Sequence, residues 1–345
     1  MKFDRKHRER IRHYILERID SGQSNIARAV SENFGISEMT VYRYLRDFRD
    51  ARIVEKKGDA YRLVTQVHTF EQAIRPEDAP REEDVYSNCI APFIRTLPDN
   101  VRRIWAYAFT EMMNNVVDHA NADRYRVIVR QSYLHTGVIL CDNGIGIFRK
   151  IKDYFGFPSI DDAIAELFKG KLTTDQQAHS GEGIFFTSQL MDLFGIFSDD
   201  RVFTRSNFKD VQLALPREKK DRSAFPGGTV VFMQLSNFSN KSAGELFDRF
   251  TDDDGSFIKT RIPVKNLFDI YPVSRSQAKR LSQRLESFRI VELDFLDVSE
   301  IGQGFAHELF AVFQAKHPEI QLVVLNENED IRKMINHVRH GSKHL

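Results

Sequence analysis

Three short segments, in fixed order, decide the fold of the middle of this chain: EMMNNVVDHA at 111–120, DNGIGI at 142–147 and HSGEGI at 179–184. The first is predicted to be helical, because apolar residues recur at three- and four-residue spacing through it and the stretch before it. Glu111, Asn115 and Asp118 then share another face of that helix, so their polar atoms converge. An acid and an amide one turn apart suit a general base that activates water beside a magnesium ligand.

The other two segments are predicted to be turns that open the backbone to a ligand. Asp142 closes an apolar strand, and Gly144 and Gly146 after it permit close backbone approach. Gly181 and Gly183 precede an apolar run, where the N-terminus of a helix would present free N–H groups to phosphate. The three segments together therefore indicate one binding site for a phosphorylated ligand.

Each segment also has an ordinary structural interpretation. DNG is a common turn, Glu111 and Asn115 could lie on a solvated helix face, and the glycines of the third segment could form a flexible loop. The order of the elements favours a binding site over these separate interpretations. All three segments occur in order, and they are followed by Gly227-Gly228-Thr229, which leads into a further apolar strand at 230–235.

This pattern resembles the gyrase, histidine kinase and MutL (GHKL) ATPase superfamily over residues 85–238. The resemblance implies a Bergerat-type α/β sandwich that binds ATP and Mg²⁺ and hydrolyses ATP slowly. By resemblance, Glu111 is the catalytic base, Asn115 the magnesium ligand, and Asp142 the acceptor of the adenine amino group. The other ATP contacts that the resemblance implies are Asp118, Gly144, Gly146, Lys171, Gly181, Gly183 and Thr229.

The same resemblance makes residues 148–178 the lid over the nucleotide. Candidate phosphate contacts in this lid are Lys169, Lys171, Thr173 and Thr174. The third segment departs from the superfamily pattern, because Phe185 follows Ile184 where a third glycine is common.

Other nucleotide and metal sites are excluded by the residues at their key positions. The run 165–172 imitates a P-loop, but Ala165 replaces its first glycine and Leu172 its Ser or Thr. A dinucleotide fingerprint fails because Arg149 stands where its third glycine should be. The two cysteines lie far apart and the histidines lack ligand spacing, which argues against zinc.

Composition predicts a multidomain cytoplasmic protein with no membrane partner. A length of 345 residues indicates two or three domains, and 41% hydrophobic residues suffice for packed cores. No apolar run approaches the roughly 20 residues needed to span a bilayer, and the basic N-terminus lacks the apolar core of a signal peptide. Two cysteines fit a reducing compartment.

The N-terminus carries the excess of positive charge, with 15 Lys and Arg against 10 Asp and Glu in residues 1–62. Its pattern predicts three helices, the third capped by Ser37, followed by two short strands around a turn at 57–59. We interpret 1–65 as a winged helix-turn-helix that resembles bacterial transcription regulators. The candidate DNA contacts are Thr40, Tyr42, Arg43, Arg46, Lys56 and Lys57. Protein contact without DNA is the alternative for such a domain.

Residues 66–84 read as a linker, because prolines and a charged cluster leave little to bury. A second break is predicted at 236–255, where Ser, Asn and Asp accumulate. Residues 256–340 then alternate helix and strand, which predicts a small α/β domain.

This last domain resembles the STAS-like domains attached to bacterial GHKL modules. Ser274 is expected to cap a helix that runs to Leu285, with a helix over 305–313 and strands over 290–295 and 321–325. The loop Gly302-Gln303-Gly304 lacks the phosphorylatable hydroxyl of anti-anti-sigma factors, so we expect a docking surface rather than a phosphoacceptor.

Three functions remain open at this point. An ATP-responsive DNA-binding regulator explains the domain order best, and a protein partner or a homodimer is expected. The alternatives are a GHKL protein kinase that acts on a partner, and a defence or repair ATPase whose winged helix binds DNA without sequence specificity.

Overall fold

The chain folds into an N-terminal head, a central sheet domain and a C-terminal domain. A computed structural model describes residues 4–75, 77, 79–172, 181–206, 210–211, 227–268 and 271–341. Mixed helices and sheets run through all three parts, as the sequence predicted.

The head contains the three helices and the hairpin expected from its pattern. They are α1 (Arg5–Asp20), α2 (Ile26–Phe34), α3 (Glu38–Asp50), β1 (Val54–Lys57) and β2 (Ala60–Leu63). Ser37 caps α3 as predicted, because its side chain accepts the backbone N–H of Thr40. Apolar residues at helical spacing, including Ile11, Val30 and Phe48, form the core of the head.

The central domain is built on a six-stranded antiparallel sheet, in the spatial order β3-β4-β5-β8-β6-β7. Its strands are β3 (Gln66–Ala73), β4 (Arg124–Gln131), β5 (His135–Asp142), β6 (Leu193–Ser198), β7 (Arg201–Phe203) and β8 (Val230–Ser236). Side chains alternate between the two faces of this sheet, and those of one face pack in the large core that also contains the helices.

The helices of the central domain lie between these strands in sequence. They are α4 (Glu82–Cys89), α5 (Ala91–Ile94), α6 (Asp99–Asn114), α7 (Ile147–Phe155), α8 (Ile160–Lys169) and α9 (Gly183–Leu190). A π-helical turn, Asn115–His119, continues α6 without a break. The buried face of α6 includes Trp105 and Met112, which join the large core.

The segment interpreted as a linker differs from that expectation. Residues 66–73 form β3, which pairs with β4 along its whole length, and residues 82–89 form α4. Only Val64 and Thr65 separate β2 of the head from β3. Most side chains of β3 are exposed, so the sequence shows no apolar alternation that would indicate a strand. The strand is stabilised by backbone hydrogen bonds to β4. His68 contributes by stacking on Phe93, with ring centroids 4.3 Å apart.

The head is also packed directly on the central domain. Leu134, in the turn between β4 and β5, is 2% exposed and belongs to the apolar core of the head. Beside it, Nδ1 of His135 lies 3.5 Å from a carboxylate oxygen of Asp20. The head and the sheet therefore share a packed interface.

The C-terminal domain has a three-stranded parallel sheet in the order β11-β10-β9. Its strands are β9 (Lys259–Pro263), β10 (Ile290–Asp294) and β11 (Gln321–Leu325), and its helices are α11 (Arg275–Ser282), α12 (Gln303–His307), α13 (Gln314–Lys316) and α14 (Glu329–Gly341). Ser274 caps α11 through a capping box with Gln277. The predicted helix at 305–313 is π-helical from Glu308 to Phe313.

The predicted break at 236–255 contains a packed helix, α10 (Ala243–Phe250). Phe250 of this helix packs edge-on against Phe185 of α9, and Phe257 packs against the same ring at a tilt, with ring centroids 5.0 and 4.8 Å away. One continuous hydrophobic core consequently joins the central and C-terminal domains. Within the described parts of the chain, no helix has the length and apolar character to cross a membrane.

Candidate functional site

A pocket opens where the predicted motifs meet in the central domain. It lies between the end of α6, the turn from β5 into α7, the start of α9, and β8. Of the ligand contacts predicted from the sequence, those that line it are Glu111, Asn115, Asp142, Gly146, Gly181, Gly183 and Thr229. Segments more than 100 residues apart in sequence thus contribute to one cavity.

Glu111 and Asn115 lie on the face of α6 and its π-helical extension that borders the pocket. The Asn115 amide nitrogen donates to the Glu111 carbonyl oxygen at 3.1 Å, which leaves the amide oxygen as the atom able to ligate a cation. Asp118 is exposed and is not among the residues lining the pocket. A π turn takes more residues per turn than an α turn, so Asp118 is rotated away from the face that ideal helical spacing assigned to it.

Asp142 lies at the carboxyl end of β5 and is only 3% exposed. Its Oδ1 accepts the backbone N–H groups of Gly144 at 2.9 Å and Thr229 at 3.2 Å. Burial raises the pKa of Asp142, and the hydrogen bonds from Gly144 and Thr229 oppose that rise. Because each carboxylate oxygen accepts more than one hydrogen bond, this fixed group keeps acceptor capacity for a ligand in the pocket.

The glycines of the predicted turns are required by close contacts. A Cβ on Gly183 would lie 2.0 Å from Oε2 of Glu111, so this carboxylate sits against the N-terminal end of α9. A Cβ on Gly144 would lie 2.1 Å from the Ala120 carbonyl oxygen, which also accepts the Ile145 N–H. Gly144 therefore packs the turn against the end of the π helix and is not itself part of the pocket lining.

Thr229, the residue before β8, connects this strand to the other motifs of the pocket. Its hydroxyl accepts the N–H of Ile147, the first residue of α7, at 3.1 Å. Together with its bond to Asp142, this contact fixes the start of α7 relative to β5 and β8.

Lys150 is a pocket residue that the sequence analysis did not identify. It is half-buried on α7, and its Nζ donates to the His119 carbonyl oxygen at 2.7 Å. Among the described residues that line the pocket, Lys150 is the only Lys or Arg. Helical spacing could have suggested it, because Ile147, Lys150 and Ile151 share one face of α7 and all three border the pocket.

The lysines predicted to contact phosphate from the lid lie elsewhere. Lys169 is 1% exposed and pairs with Glu166, Nζ to Oε1 2.5 Å. Nζ of Lys171 donates to the Ser287 carbonyl oxygen at 2.8 Å and lies over the ring of Phe288. Neither lysine is among the residues lining the pocket. Thr173 and Thr174 fall outside the described residues, as does His179.

Among the described residues, the donor set of the pocket fits magnesium bound together with a phosphate ligand. Across the described ranges, no group of three or more His, Cys, Asp or Glu side chains could hold a metal ion. Mg²⁺ usually retains several waters and takes one or two protein ligands together with phosphate oxygens. Asn115 on the same helical stretch as Glu111 fits that limited role.

A second candidate surface lies on the head, at the exposed face of α3. Thr40, Tyr42, Arg43 and Arg46 surround a shallow depression together with Met39, which is 78% exposed. Lys56 and Lys57 are exposed on β1 of the hairpin. The structure thus clusters the four predicted α3 residues and leaves the two lysines accessible on the hairpin.

Comparison with known proteins gives a family for one part of the chain. The family described as "STAS-like domain of unknown function (DUF4325)" matches residues 277–332. The C-terminal domain is STAS-like. That part of the sequence-based resemblance is confirmed, and the matched residues extend from α11 into α14. No curated protein matches the chain.

Proposed function

We propose that this protein is a DNA-binding regulator whose central domain is a GHKL-type ATP site with a Bergerat-type fold. The observation that carries the proposal is the single pocket in which Glu111, Asn115, Asp142 and Gly183 come together. These are the positions to which the resemblance assigned water activation, magnesium binding, adenine recognition and phosphate binding. A common pocket for these four residues is what the resemblance requires, and it is the support for this proposal.

Each group in the pocket has a chemical role in this proposal. Asp142 accepts the adenine amino group, since it is buried and held by two backbone donors. Asn115 would hold magnesium through its amide oxygen, and Glu111 orients and deprotonates the attacking water. The start of α9 and Lys150 receive phosphate, because helix N-termini and ammonium groups both favour anions. When bound, Mg²⁺ would supply positive charge that offsets the charge of the phosphates.

The head supports DNA binding as a winged helix-turn-helix. Its exposed α3 face combines Arg43 and Arg46 with Thr40 and Tyr42, which suits contacts to phosphates and base edges. Lys56 and Lys57 on the hairpin add positive charge for the phosphate backbone.

Nucleotide and DNA binding are proposed to be coupled through pairs of protomers. The head is joined to β3 by Val64 and Thr65 alone and is packed around Leu134. A head held in this way moves with the central domain, so a nucleotide that changes how two central domains pair would change the spacing of two heads on DNA. Such coupling is typically worth about 1–3 kcal/mol and is reciprocal.

A DNA titration across salt concentrations tests this function. The probe is a labelled duplex selected by the protein itself from a random-sequence pool, with and without Mg²⁺ and a slowly hydrolysed ATP analogue. Replacing Arg43 and Arg46 with Ala should weaken binding and reduce the salt slope, by about 0.9 for each phosphate that the protein no longer neutralises. The matched control replaces Arg102 and Arg103, two exposed arginines of α6, with Ala. It should leave the DNA affinity and the salt slope unchanged.

The analogue should shift the DNA affinity of the parent protein. Identical curves with and without it would show that the ATP site and the head are not coupled. Disappearance of the analogue's effect in the Asp142→Ala variant would tie the shift to the pocket.

A further inference from the structure

The C-terminal domain contacts the segment that forms one wall of the pocket. Helix α8 ends at Lys169, and Leu172, a few residues later, lines the pocket. The Leu172 N–H donates to the Gly181 carbonyl oxygen at 3.2 Å, and both residues line the pocket. Whatever holds the end of α8 therefore sets the position of Leu172.

Lys169 attaches the end of α8 to the C-terminal domain. Its buried ammonium donates to the carbonyl oxygens of Gln283 at 2.7 Å and Arg280 at 3.3 Å, in addition to its pair with Glu166. The hydroxyl of Thr260 in β9 donates to the Lys169 carbonyl oxygen at 2.6 Å. A buried ammonium is costly unless it is paired and hydrogen-bonded, and the C-terminal domain supplies two of its acceptors.

Arg284 strengthens the same attachment from the C-terminal side. Its Nε lies 3.6 Å from Oε2 of Glu166, and its Nη2 donates to the Lys171 carbonyl oxygen at 3.4 Å. The guanidinium is also 4.8 Å from the ring centroid of Phe155 in α7. One side chain, 39% exposed, thus touches α7, the interior of α8 and the chain just before Leu172.

We propose that Lys169 and Arg284 are positioning residues through which the C-terminal domain holds the Leu172 wall of the nucleotide pocket. The docking of this domain thereby sets nucleotide affinity, and by reciprocity a bound nucleotide strengthens the docking. That the pocket binds a nucleotide rests on the proposed function, whereas the positioning of Leu172 rests on the contacts alone.

Two measurements on the full chain test the proposal with the variant Arg284→Ala. Lys169→Met would remove the partner of the buried Glu166 carboxylate and could unfold the protein. Arg284 is partly exposed, so its replacement is less destabilising. The matched control is Arg275→Ala, an exposed arginine of α11 that removes the same charge from the same domain. Hydrogen exchange of the peptide containing Leu172, measured without nucleotide, shows how firmly Leu172 is held. Calorimetry with Mg²⁺-ATP measures the affinity of the pocket for the nucleotide.

We expect Arg284→Ala to speed exchange at Leu172 and to weaken ATP binding, each by at least about fivefold, with Arg275→Ala unchanged. Arg284→Lys should recover only part of the effect, because a lysine lacks the planar group that reaches several partners at once. Unchanged exchange at Leu172 in Arg284→Ala would overturn the proposal that Arg284 positions Leu172. Faster exchange with unaltered ATP affinity would overturn the proposal that the docking of the C-terminal domain sets nucleotide affinity. If the parent protein binds no ATP, the proposed function fails, while the exchange measurement still decides the positioning.

Discussion

Replacing Asp142 with Asn should reverse the purine preference of the pocket without unfolding it. The structure explains why Asn is more informative than Ala at this position. In Asp142→Ala the buried N–H of Thr229 and the partly buried N–H of Gly144 lose their acceptor, and an unsatisfied buried donor costs roughly 1–3 kcal/mol of stability. An Asn side chain keeps one oxygen for these donors and presents an amide NH₂ group, a hydrogen-bond donor, in place of the other oxygen.

The effect on binding follows from the donors and acceptors of the base. ATP presents an amino group, which meets an acceptor in the parent protein and a donor in Asp142→Asn. The missing hydrogen bond to a charged group is worth roughly 1.5–3 kcal/mol, a decrease in ATP affinity of about 10-fold to 150-fold. Inosine triphosphate presents a carbonyl oxygen at the same position, so the variant should bind it more tightly than it binds ATP.

Calorimetry with both nucleotides, on the parent protein and on the two variants, measures this reversal. Thermal denaturation without nucleotide serves as the control, and only Asp142→Ala should melt at a clearly lower temperature. A folded Asp142→Asn variant that keeps the parental ratio of ATP to inosine triphosphate affinity would refute the assignment of Asp142 to the base.

Three further outcomes are expected at the same pocket. Glu111→Gln should retain ATP binding while its hydrolysis rate falls by roughly 10²–10⁴-fold, and a phosphate-release assay showing parental rates would contradict the role of Glu111 as base. Lys150→Met should weaken ATP binding by up to about tenfold and leave adenosine binding unchanged, since its ammonium is expected to meet phosphate; equal decreases for both ligands in calorimetry would argue against this. Adenosine affinity should fall as pH decreases, because the deprotonated Asp142 is the acceptor; burial raises its pKa, so the midpoint should lie above the ordinary value of 3.8. Asp142→Asn should remove this pH dependence, and a parental profile in that variant would assign it to another group.

Local signals in the sequence predicted much of the fold. Helices α1 to α3 follow from apolar spacing, and the caps at Ser37 and Ser274 follow from the preference of Ser for helix N-termini. Strands β10 and β11 follow from short apolar runs. These features are decided by each residue and its near neighbours, and the three motifs of the pocket are local in the same sense.

The edge strand β3 and the burial of Lys169 depended on the tertiary structure. Strand β3 is held by backbone bonds to β4, which leave no mark in its largely exposed side chains. Lys169 and Lys171 stand in the segment predicted to cover phosphate, yet their side chains reach carbonyl oxygens of the C-terminal domain. The direction of a long, flexible side chain depends on which acceptors packing brings within reach, and these acceptors lie more than 100 residues away.

The sequence by itself therefore determined which residue types could form the candidate pocket, because their chemistry and spacing are local properties. Only the tertiary structure decided that Lys150 borders the pocket, that Asp118 on the π turn does not, and that the Lys169 side chain reaches the STAS-like domain. Each of these depends on how separate elements pack, since packing, and not the order of residues, sets the distance between side chains far apart in the chain.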